Sequence, residues 1–390
     1  MYLMKNVLLI GIHGVYNYGC EAIVRGTVNI LKGIDPDISV TYASYRYEDD
    51  CRRLAGCDVR VVGRSHFRGR WAWENIVRKL LSLVGVTYEM PYDSTDWLDG
   101  FDTVFCIGGD LYTLWSNNDF NRQLPRFLER CRRKGLRYVL WGASVGKFEA
   151  NPVALDFFSR HLRKADLIVA REPETMSYLR TMGVAGHAVM APDPAFSVVP
   201  MQKPRPRVAV KTIGLNLSPL SARYRYGTME EAIQAQALAV ERLVDAMDAD
   251  VIFLPHVVDT VEGDDDALYM QRICDAMSAG YRARVSLVGN DPGFVGLKES
   301  IGRCDMVISA RMHCAINAVA CGCPALLLSY SEKAKGMAEF IYGNRDAVVS
   351  LNDFEDTERM VDIIRNWHGT IRHDAISAFD YSALFGGKTI

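Results

Sequence analysis

The fold of this chain is decided by the stretch VLLIGIHGVYNYGCE at residues 7–21. An apolar run, a glycine-rich loop and the start of an amphipathic helix follow one another there, as they do at a strand-to-helix junction. Similar apolar runs alternate with helical stretches along the rest of the chain. The predicted strands begin with Val7–Ile12 and, in the second half, run from Val208–Leu215 to Ala325–Leu328. This alternation is typical of βαβ units, so we predict an α/β fold with parallel sheets.

A proline-rich stretch, VPMQKPRPR at residues 199–207, divides this pattern into two halves. Its prolines forbid a helix and disfavour a central strand, so we interpret it as a linker. We predict one Rossmann-like domain at residues 1–198 and another at 208–376, followed by a tail at 377–390 that either crosses back to the first domain or frays. The strands of two such domains point their carboxyl ends, and therefore their ligand sites, into one cleft.

Composition excludes several classes of function. The 390 residues include 45 Lys and Arg against 47 Asp and Glu, a net charge of −2, so we predict no nucleic-acid partner. The ten cysteines form no Cys-x-x-Cys pair, which argues against a disulfide framework and a structural zinc site. The first apolar run, at residues 7–10, is too short to span a membrane, and no small-residue cleavage site follows it. We therefore expect the protein in the cytoplasm.

The loop after the first predicted strand carries two polar candidates, Asn17 and Glu21. It lacks the G-x-G-x-x-G spacing of a dinucleotide site, and the charge of Glu21 would repel a phosphate. Two interpretations remain open. The side chains either bind neutral hydroxyls, or the segment is a purely structural glycine turn.

Two other predicted strands of the first half end in charged residues. Asp110 follows a Gly-Gly pair, and it either reaches a ligand site or caps a helix. Arg171 follows the strand before a Glu-Pro pair, at residues 172–173. Its guanidinium suits bidentate capture of a carboxylate or phosphate, and the alternative is an ion pair with Glu172 or Glu174.

Cationic and titratable side chains gather at strand ends in the second half. Arg311 and His313 lie at the start of a helix of small residues, and Lys333 and Lys335 follow the next predicted strand. Because these strand ends are adjacent in a parallel sheet, they predict an anion pocket for a phosphate and a carboxylate. His256 follows another strand and is a candidate general acid, although a lone histidine is often structural.

In this order, the motifs resemble the polysaccharide pyruvyl transferase family over most of the chain. The matching motifs are Asn17–Ile23, Gly108–Asp110, Arg171–Glu172, Asp193–Phe196, Gly214–Ser218, Pro255–His256, Ser309–His313 and Tyr330–Lys333. The resemblance implies a two-domain fold similar to the GT-B glycosyltransferases. It also implies transfer of pyruvate from phosphoenolpyruvate onto two hydroxyls of a sugar, in a precursor of a surface or capsular polysaccharide.

By motif, the resemblance implies that Arg171, Arg311 and His313 bind phosphoenolpyruvate. Arginines suit both the carboxylate and the phosphate of this donor. Ketal formation needs a general acid, for which His313 is the candidate, and a general base, for which Glu21 and Asp110 are candidates. We add Lys333 and Lys335 on the donor side, and Asn17, Glu21 and His256 on the acceptor side. We predict no metal and no cofactor, with phosphoenolpyruvate as co-substrate.

Two alternatives share parts of this pattern. A GT-B nucleotide-sugar glycosyltransferase would have the same fold, but Glu332 and Glu339 lie one position too close for the paired glutamates of many retaining members. A non-catalytic protein that binds a glycan or phosphate would keep Arg311 and need no acid.

The segment at residues 64–84 combines basic residues with an amphipathic helical pattern. One predicted helix face carries Trp73, Ile76, Val77, Leu80, Leu81 and Val84. This pattern has two interpretations. It is either a core helix with a solvated basic face, or a helix that docks on the anionic inner face of the membrane. A lipid-linked sugar acceptor would explain the second interpretation.

Overall fold

A computed structural model shows two parallel β-sheets, each covered by helices. It describes residues 4–64, 73–85, 96–109, 111–206, 209–258, 263–329 and 333–386. The strands of the first sheet are β1 (Asn6–Ile10), β2 (Ser39–Ser44), β3 (Arg60–Gly63), β4 (Thr103–Ile107), β5 (Arg137–Ala143), β6 (Leu167–Ala170) and β7 (Ala188–Met190). Their order is β3-β2-β1-β4-β5-β6-β7, and all neighbours are parallel.

The second sheet has the same kind of parallel topology. Its strands are β8 (Thr212–Asn216), β9 (Asp250–Phe253), β10 (Val285–Leu287), β11 (Met306–Ser309), β12 (Ala325–Ser329) and β13 (Val348–Ser350). Their order is β10-β9-β8-β11-β12-β13. In both sheets the order changes direction at a central strand, which opens a crevice at the carboxyl ends of the strands.

The helices connect successive strands and cover both faces of the sheets. Those of the first half are α1 (Tyr18–Ile34), α2 (Tyr47–Arg53), α3 (Trp73–Leu83), α4 (Gln123–Arg133), α5 (Pro152–Leu162) and α6 (Pro173–Thr181). Those of the second half are α7 (Pro219–Ala222), α8 (Met229–Met247), α9 (Asp266–Ala276), α10 (Ala279–Arg282), α11 (Gly293–Gly302), α12 (Met312–Ala320), α13 (Lys333–Tyr342), α14 (Leu351–Glu355), α15 (Thr357–Asn366) and α16 (His373–Ser377). Short 3₁₀ turns lie at Asp96–Leu98, Ala185–His187, Pro194–Ser197 and Tyr381–Phe385.

The central strands are buried on both faces. Every residue of β4 is buried, and its sequence TVFCI is an almost continuous apolar run, as expected for a strand between two helical layers. Two apolar clusters cover the two faces of the first sheet, and a third forms the core of the second half. The predicted α/β architecture is confirmed, while the exact domain bounds of 1–198 and 208–376 stay predictions.

The proline-rich segment is attached to the second half of the molecule. The N–H of Gln202 donates to the carbonyl of Ala320 at 2.9 Å, and the N–H of Arg205 donates to that of Gly322 at 2.9 Å. Gly322 has a φ of +68°, and a Cβ there would lie 2.2 Å from the carbonyl oxygen of Lys203. Only glycine therefore allows this close approach.

The C-terminal segment crosses back to the first half. Phe385 packs its ring 6.0 Å from those of Phe105 and Trp141, which belong to the first sheet. The hydroxyl of Tyr381 donates to the carbonyl of Pro192 at 3.1 Å. Of the two possibilities that the sequence leaves open for this tail, the structure shows the crossing, as far as residue 386.

None of the helices in the described ranges has both the length and the apolar character that crossing a bilayer requires.

Candidate functional site

A cleft of about 410 Å³ lies where the carboxyl ends of the two sheets face each other. Its lining includes five predicted site residues from both halves of the chain, namely Asn17, Arg171, His256, Arg311 and His313. Sequence reasoning placed these residues at strand ends, and the structure brings them together in one cavity.

Arg171 follows β6 and is almost completely buried, with 1% of its surface exposed. Its Nε and Nη2 donate to the hydroxyl of Ser144 at 3.0 and 2.9 Å, and its Nη1 donates to Asp193 at 2.8 Å. Glu172, the alternative partner that the sequence suggested, also contacts the guanidinium, with its Oε2 3.3 Å from Nε of Arg171. Gly109 lies against the guanidinium, because a Cβ there would be 2.5 Å from Nη2. Gly109, the second glycine of the Gly-Gly pair, thus leaves room for this buried cation.

Asp193 connects the two halves of the cleft. Its Oδ2 accepts the hydrogen bond from Arg171 and lies 3.5 Å from Nε2 of His313, which belongs to the second half. Its Oδ1 accepts from the N–H of Ala195 at 2.9 Å. Burial by itself would raise the pKa of Asp193, but His313, Arg171 and this N–H together hold that pKa well below its usual range. Asp193 is therefore an ionised, fully buried carboxylate between two candidate donor-binding residues.

His313 lies in the first turn of α12 and packs against α1 of the other half. A Cβ on Gly19 would lie 2.4 Å from Nδ1 of His313, so this position requires glycine for the ring to fit. Gly19 is part of the Asn-Tyr-Gly motif that the sequence singles out, and its close packing on His313 gives that motif a physical reason.

Arg311 is the N-terminal cap residue of α12 and is held by two carboxylates. Its Nη2 lies 2.8 Å from Oδ1 of Asp266 and 2.9 Å from Oδ1 of Asp264. Its backbone N–H donates to the side chain of Asn216 at 2.8 Å. Burial raises the pKa of Asp266, and Arg311 opposes that change. The guanidinium is thus fixed in one orientation at the wall of the cleft.

His256 is buried beside these groups and is neutral at physiological pH. Burial lowers the pKa of its imidazole to about 3. Its Nδ1 lies 3.3 Å from the carbonyl of Leu254, which favours the tautomer with the proton on Nδ1. Its buried Nε2 has no hydrogen-bond partner among the described residues. A neutral imidazole is a poor proton donor, and the roles of His256 as general acid and as acceptor ligand both stay predictions.

The two polar residues of the first loop have different positions. Asn17 lines the cleft, where its side-chain oxygen caps α1 by accepting the N–H of Gly19 at 2.9 Å. Glu21 does not line the cleft. Its carboxylate accepts from Arg25 at 2.7 Å and from the N–H of Phe294, in the first turn of α11, at 3.0 Å. Glu21 therefore joins the two halves of the molecule, and its prediction as general base and acceptor ligand is corrected.

The remaining predicted site residues are Asp110, Lys333 and Lys335. Asp110 lies outside the described residues, and so does the side chain of Lys333. Lys335 lies on α13 and is partly buried, but the structure does not bring it to the lining of the cleft. Its place in the anion pocket stays a prediction. Within the part of the chain that the structure describes, no cluster of three or more histidines, cysteines, aspartates or glutamates is placed to hold a metal ion.

Sequence reasoning gave no role to Asp193, Asp264, Asp266, Ser144 or Asn216, which hold the two arginines. Asp193 carried a signal, because it stands before proline in one of the matching motifs. Asp264 and Asp266 lie in an acidic run that resembles an ordinary solvated loop. Their contact with Arg311 brings the loop before α9 and its first residue to the carboxyl end of β11, which no local pattern indicates.

The family model described as polysaccharide pyruvyl transferase matches residues 17–332 of the chain. The comparison with curated proteins finds no match. Among solved structures, the chain is similar to UDP-GlcNAc 2-epimerase from Neisseria meningitidis bound to UDP-GlcNAc, with 13% identity, 93% of this chain and 92% of that chain covered, and a TM-score of 0.57. It is similar to UDP-GlcNAc 2-epimerase from Methanocaldococcus jannaschii, with 9% identity, 98% of each chain covered and a TM-score of 0.56.

The chain is also similar to Anabaena Alr3699/HepE in complex with UDP, with 12% identity, 98% of this chain and 94% of that chain covered, and a TM-score of 0.52. At such identities the similarity concerns the fold alone. The neighbours have two parallel-sheet domains of the GT-B type, so the predicted GT-B-like fold class is confirmed.

Proposed function

Because the chain belongs to the polysaccharide pyruvyl transferase family, we propose that it moves the enolpyruvyl group of phosphoenolpyruvate onto two hydroxyls of one sugar and releases phosphate. The observation that carries the proposal is the convergence of Arg171, Arg311 and His313 on one cleft from both halves of the chain. Two fixed guanidinium groups on opposite walls match a small donor with an anion at each end.

The proposed chemistry uses the chain's own acids and bases. His313 donates a proton to the methylene carbon of phosphoenolpyruvate, and a sugar hydroxyl attacks the adjacent carbon. A base takes the proton of that hydroxyl. A second hydroxyl of the same sugar then attacks this carbon, loses its proton and displaces phosphate, which leaves a cyclic ketal. The two arginines stabilise the charge on the donor and on the leaving phosphate.

The remaining roles rest on the described positions of Glu21, Asn17 and His256 and, for Asp110 and Lys333, on their places in the sequence. Glu21 is engaged elsewhere, so we assign the base to Asp110, and we keep Lys333 as a donor-side residue. Asn17 and His256 line the cleft and are the proposed contacts to the sugar. We propose no metal and no cofactor, since each step above is a proton transfer, an addition to carbon or a displacement at carbon. The acceptor is a precursor of a surface or capsular polysaccharide, modified in the cytoplasm or at the inner face of the membrane.

The proposal is tested first by thermal unfolding. A ligand that binds only the folded state raises the melting temperature, so phosphoenolpyruvate is expected to raise it in a concentration-dependent manner. UDP- and GDP-sugars are measured in parallel, together with phosphate release from phosphoenolpyruvate in the presence of sugar acceptors. A shift with a nucleotide sugar and none with phosphoenolpyruvate would assign the cleft to a glycosyltransferase. Donor binding without phosphate release for any acceptor would indicate a binding protein.

We also propose that the protein contacts the membrane through α3. The exposure of α3 supports this proposal over a core helix, because several residues of its apolar face are open to solvent. Trp73 is 62% exposed, Leu80 is 59% exposed and Leu83 is 77% exposed. Exposed apolar side chains on a basic, amphipathic helix suit an anionic bilayer surface. Membrane contact would place the cleft close to a lipid-linked acceptor.

Replacing Leu80 and Leu83 together by glutamate is expected to reduce binding to anionic liposomes at low salt. A leucine that enters the bilayer removes its apolar surface from water. Losing that burial is expected to lower the partition coefficient roughly tenfold for each leucine. The matched control is Leu268→Glu, since Leu268 is 55% exposed on α9 of the other half. Co-sedimentation measures the effect. A wild-type protein that stays in the supernatant at low salt would rule out the membrane contact and leave the transferase proposal intact.

A further inference from the structure

The imidazole of His256 is a buried polar group of the cleft that uses only one of its two nitrogens. The residue is 1% exposed and lines the cleft from the second half of the chain. Its Nδ1 faces the carbonyl of Leu254 at 3.3 Å, whereas its buried Nε2 has no hydrogen-bond partner among the described residues. A buried polar atom without a partner costs free energy, so a ligand group that completes its hydrogen bonding is favoured at this position.

The protonation state of the ring determines which ligand group fits. The contact with Leu254 favours the proton on Nδ1, so Nε2 presents a lone pair. Burial first, and then the neighbouring His313 and Arg311, lower the pKa of the imidazole to about 3, so the ring is neutral near pH 7. A carboxylate or an ionised phosphate offers only acceptors and cannot pair with this nitrogen. The matching group is a neutral hydrogen-bond donor, such as a hydroxyl of a sugar.

The ring of His256 is packed between aromatic side chains from both halves of the molecule. Its centre lies 5.8 Å from that of Tyr18 on α1, and 6.4 Å from that of Phe294 in the first turn of α11. The carbonyl of His256 accepts the N–H of Tyr18 at 2.8 Å. These contacts restrict the ring to one orientation, so Nε2 is positioned before any ligand arrives.

One buried carboxylate fixes His256 relative to Arg311. Oδ2 of Asp266 accepts the N–H groups of His256 and Val257, each at 3.1 Å. Oδ1 of the same side chain accepts from Nη2 of Arg311 at 2.8 Å. A group bound to His256 therefore has a defined position relative to the guanidinium that the proposed function assigns to the donor.

We infer that His256 selects the acceptor, because its Nε2 accepts a hydrogen bond from one of the two sugar hydroxyls that form the ketal. This inference rests on the proposed function and adds to it a specificity-determining residue. The oxygen that donates its proton to Nε2 keeps its lone pairs, with which it attacks the donor carbon. An ether or a deoxy position has no proton to donate and leaves Nε2 unpaired, so a sugar that lacks a free hydroxyl there is rejected.

Nitrogen-15 NMR of the full chain, labelled at its eight histidines, tests the inference. The probes are the methyl glycosides of glucose, galactose and mannose, and glycerol at molar concentration. The Nε2 resonance of His256 is assigned by its absence in His256→Phe. We expect at least one probe to shift it, because a hydrogen bond to the lone pair changes the shielding of that nitrogen. No shift with any probe, glycerol included, would overturn the inference.

His161 is the internal control for these spectra. It is also 1% exposed, but its Nε2 lies 3.0 Å from the hydroxyl of Tyr112, and its Nδ1 lies 3.3 Å from Glu129. It does not belong to the lining of the cleft. Its resonances should therefore stay in place while that of His256 moves, and equal shifts at both histidines would count against a specific contact.

Two variants test the same contact by affinity. His256→Phe keeps a flat ring between Tyr18 and Phe294 but removes the acceptor, so it should bind the best glycoside about tenfold more weakly. His256→Gln keeps an acceptor oxygen and should retain part of the affinity if the phenylalanine variant folds poorly. Unchanged affinity in both variants would refute the contact.

Monodeoxy derivatives of the best glycoside identify the hydroxyl. Removing the one that His256 contacts should weaken binding to the wild type and not to His256→Phe, whereas equal losses in both proteins would contradict the inference. The melting-temperature shift with phosphoenolpyruvate reports separately on the proposed function and should persist in His256→Phe. A response of His256 to sugars without that shift would refute the proposed donor and leave the sugar contact standing.

Discussion

Replacing Arg311 by alanine is expected to raise the Kd for phosphoenolpyruvate roughly 100-fold, a loss of about 3 kcal/mol of binding free energy. The guanidinium lines the cleft in an orientation fixed by Asp264 and Asp266. Without it, one anionic end of the donor would meet a wall whose remaining charges are negative. Both the lost attraction and the new repulsion weaken binding. Calorimetry or the melting-temperature shift with phosphoenolpyruvate measures the effect.

Two further variants separate this role from a general loss of structure. Arg311→Lys keeps a positive charge but cannot make a planar two-pronged contact, so its affinity should fall between those of the wild type and the alanine variant. Arg223→Ala is the matched control, because Arg223 is exposed and donates to the carbonyl of Gly263, next to the same acidic loop. Wild-type affinity for phosphoenolpyruvate in Arg311→Ala would contradict the proposed donor site.

Replacing Asp193 by asparagine is expected to lower kcat about 100-fold, the scale associated with misplacing a reacting group. The N–H of Ala195 requires an oxygen at the Oδ1 position, which puts the amide nitrogen where Oδ2 meets Arg171 and His313. A donor group would then face the donors of the arginine. The proposed acid would lose the carboxylate that positions it, so kcat should fall more than KM rises.

Ser144→Ala is the control for this prediction. Ser144 contacts the same guanidinium at 2.9 and 3.0 Å, but the structure gives it no contact with His313. Its loss should affect KM for phosphoenolpyruvate and leave kcat nearly unchanged. Asp193→Asn also removes a buried charge partner, so the melting temperature is measured first and the kinetics are run well below it. An unchanged kcat in a folded Asp193→Asn protein would refute the positioning role.

Much of the fold follows from local patterns in the sequence. The alternation of apolar runs and helices predicted both parallel sheets, because strands such as β4 are buried on both faces. Of the predicted strand Val208–Leu215, Val208 lies outside the described residues, and residues 209–211 are not strand. The structure starts β8 at Thr212, where the carboxylate of Asp305 accepts the N–H groups of Lys211 and Thr212. The last strand, β13, was not predicted.

The sequence predicted those residues of the candidate site that closely follow the end of a strand. Arg171, Arg311 and His313 each follow a strand closely, and the carboxyl ends of parallel strands meet at one edge. Glu21 shows where this reasoning fails. It lies one helical turn beyond Asn17, and its carboxylate is used by the first turn of α11. That contact depends on how two domains pack, and no spacing within either domain contains this information.

The chain passes between the two domains twice, and the two passages lie side by side. A cavity of about 520 Å³ is lined both by the outgoing segment near Val198–Met201 and by the returning segment near Ile376–Ser382. A single connecting segment would allow one domain to rotate relative to the other in any direction. Two adjacent connections form a hinge with a defined axis. Twisting the domains about any other axis would have to stretch one segment relative to the other. We therefore expect any relative motion of the domains to be opening and closing of the cleft about one axis, rather than twisting.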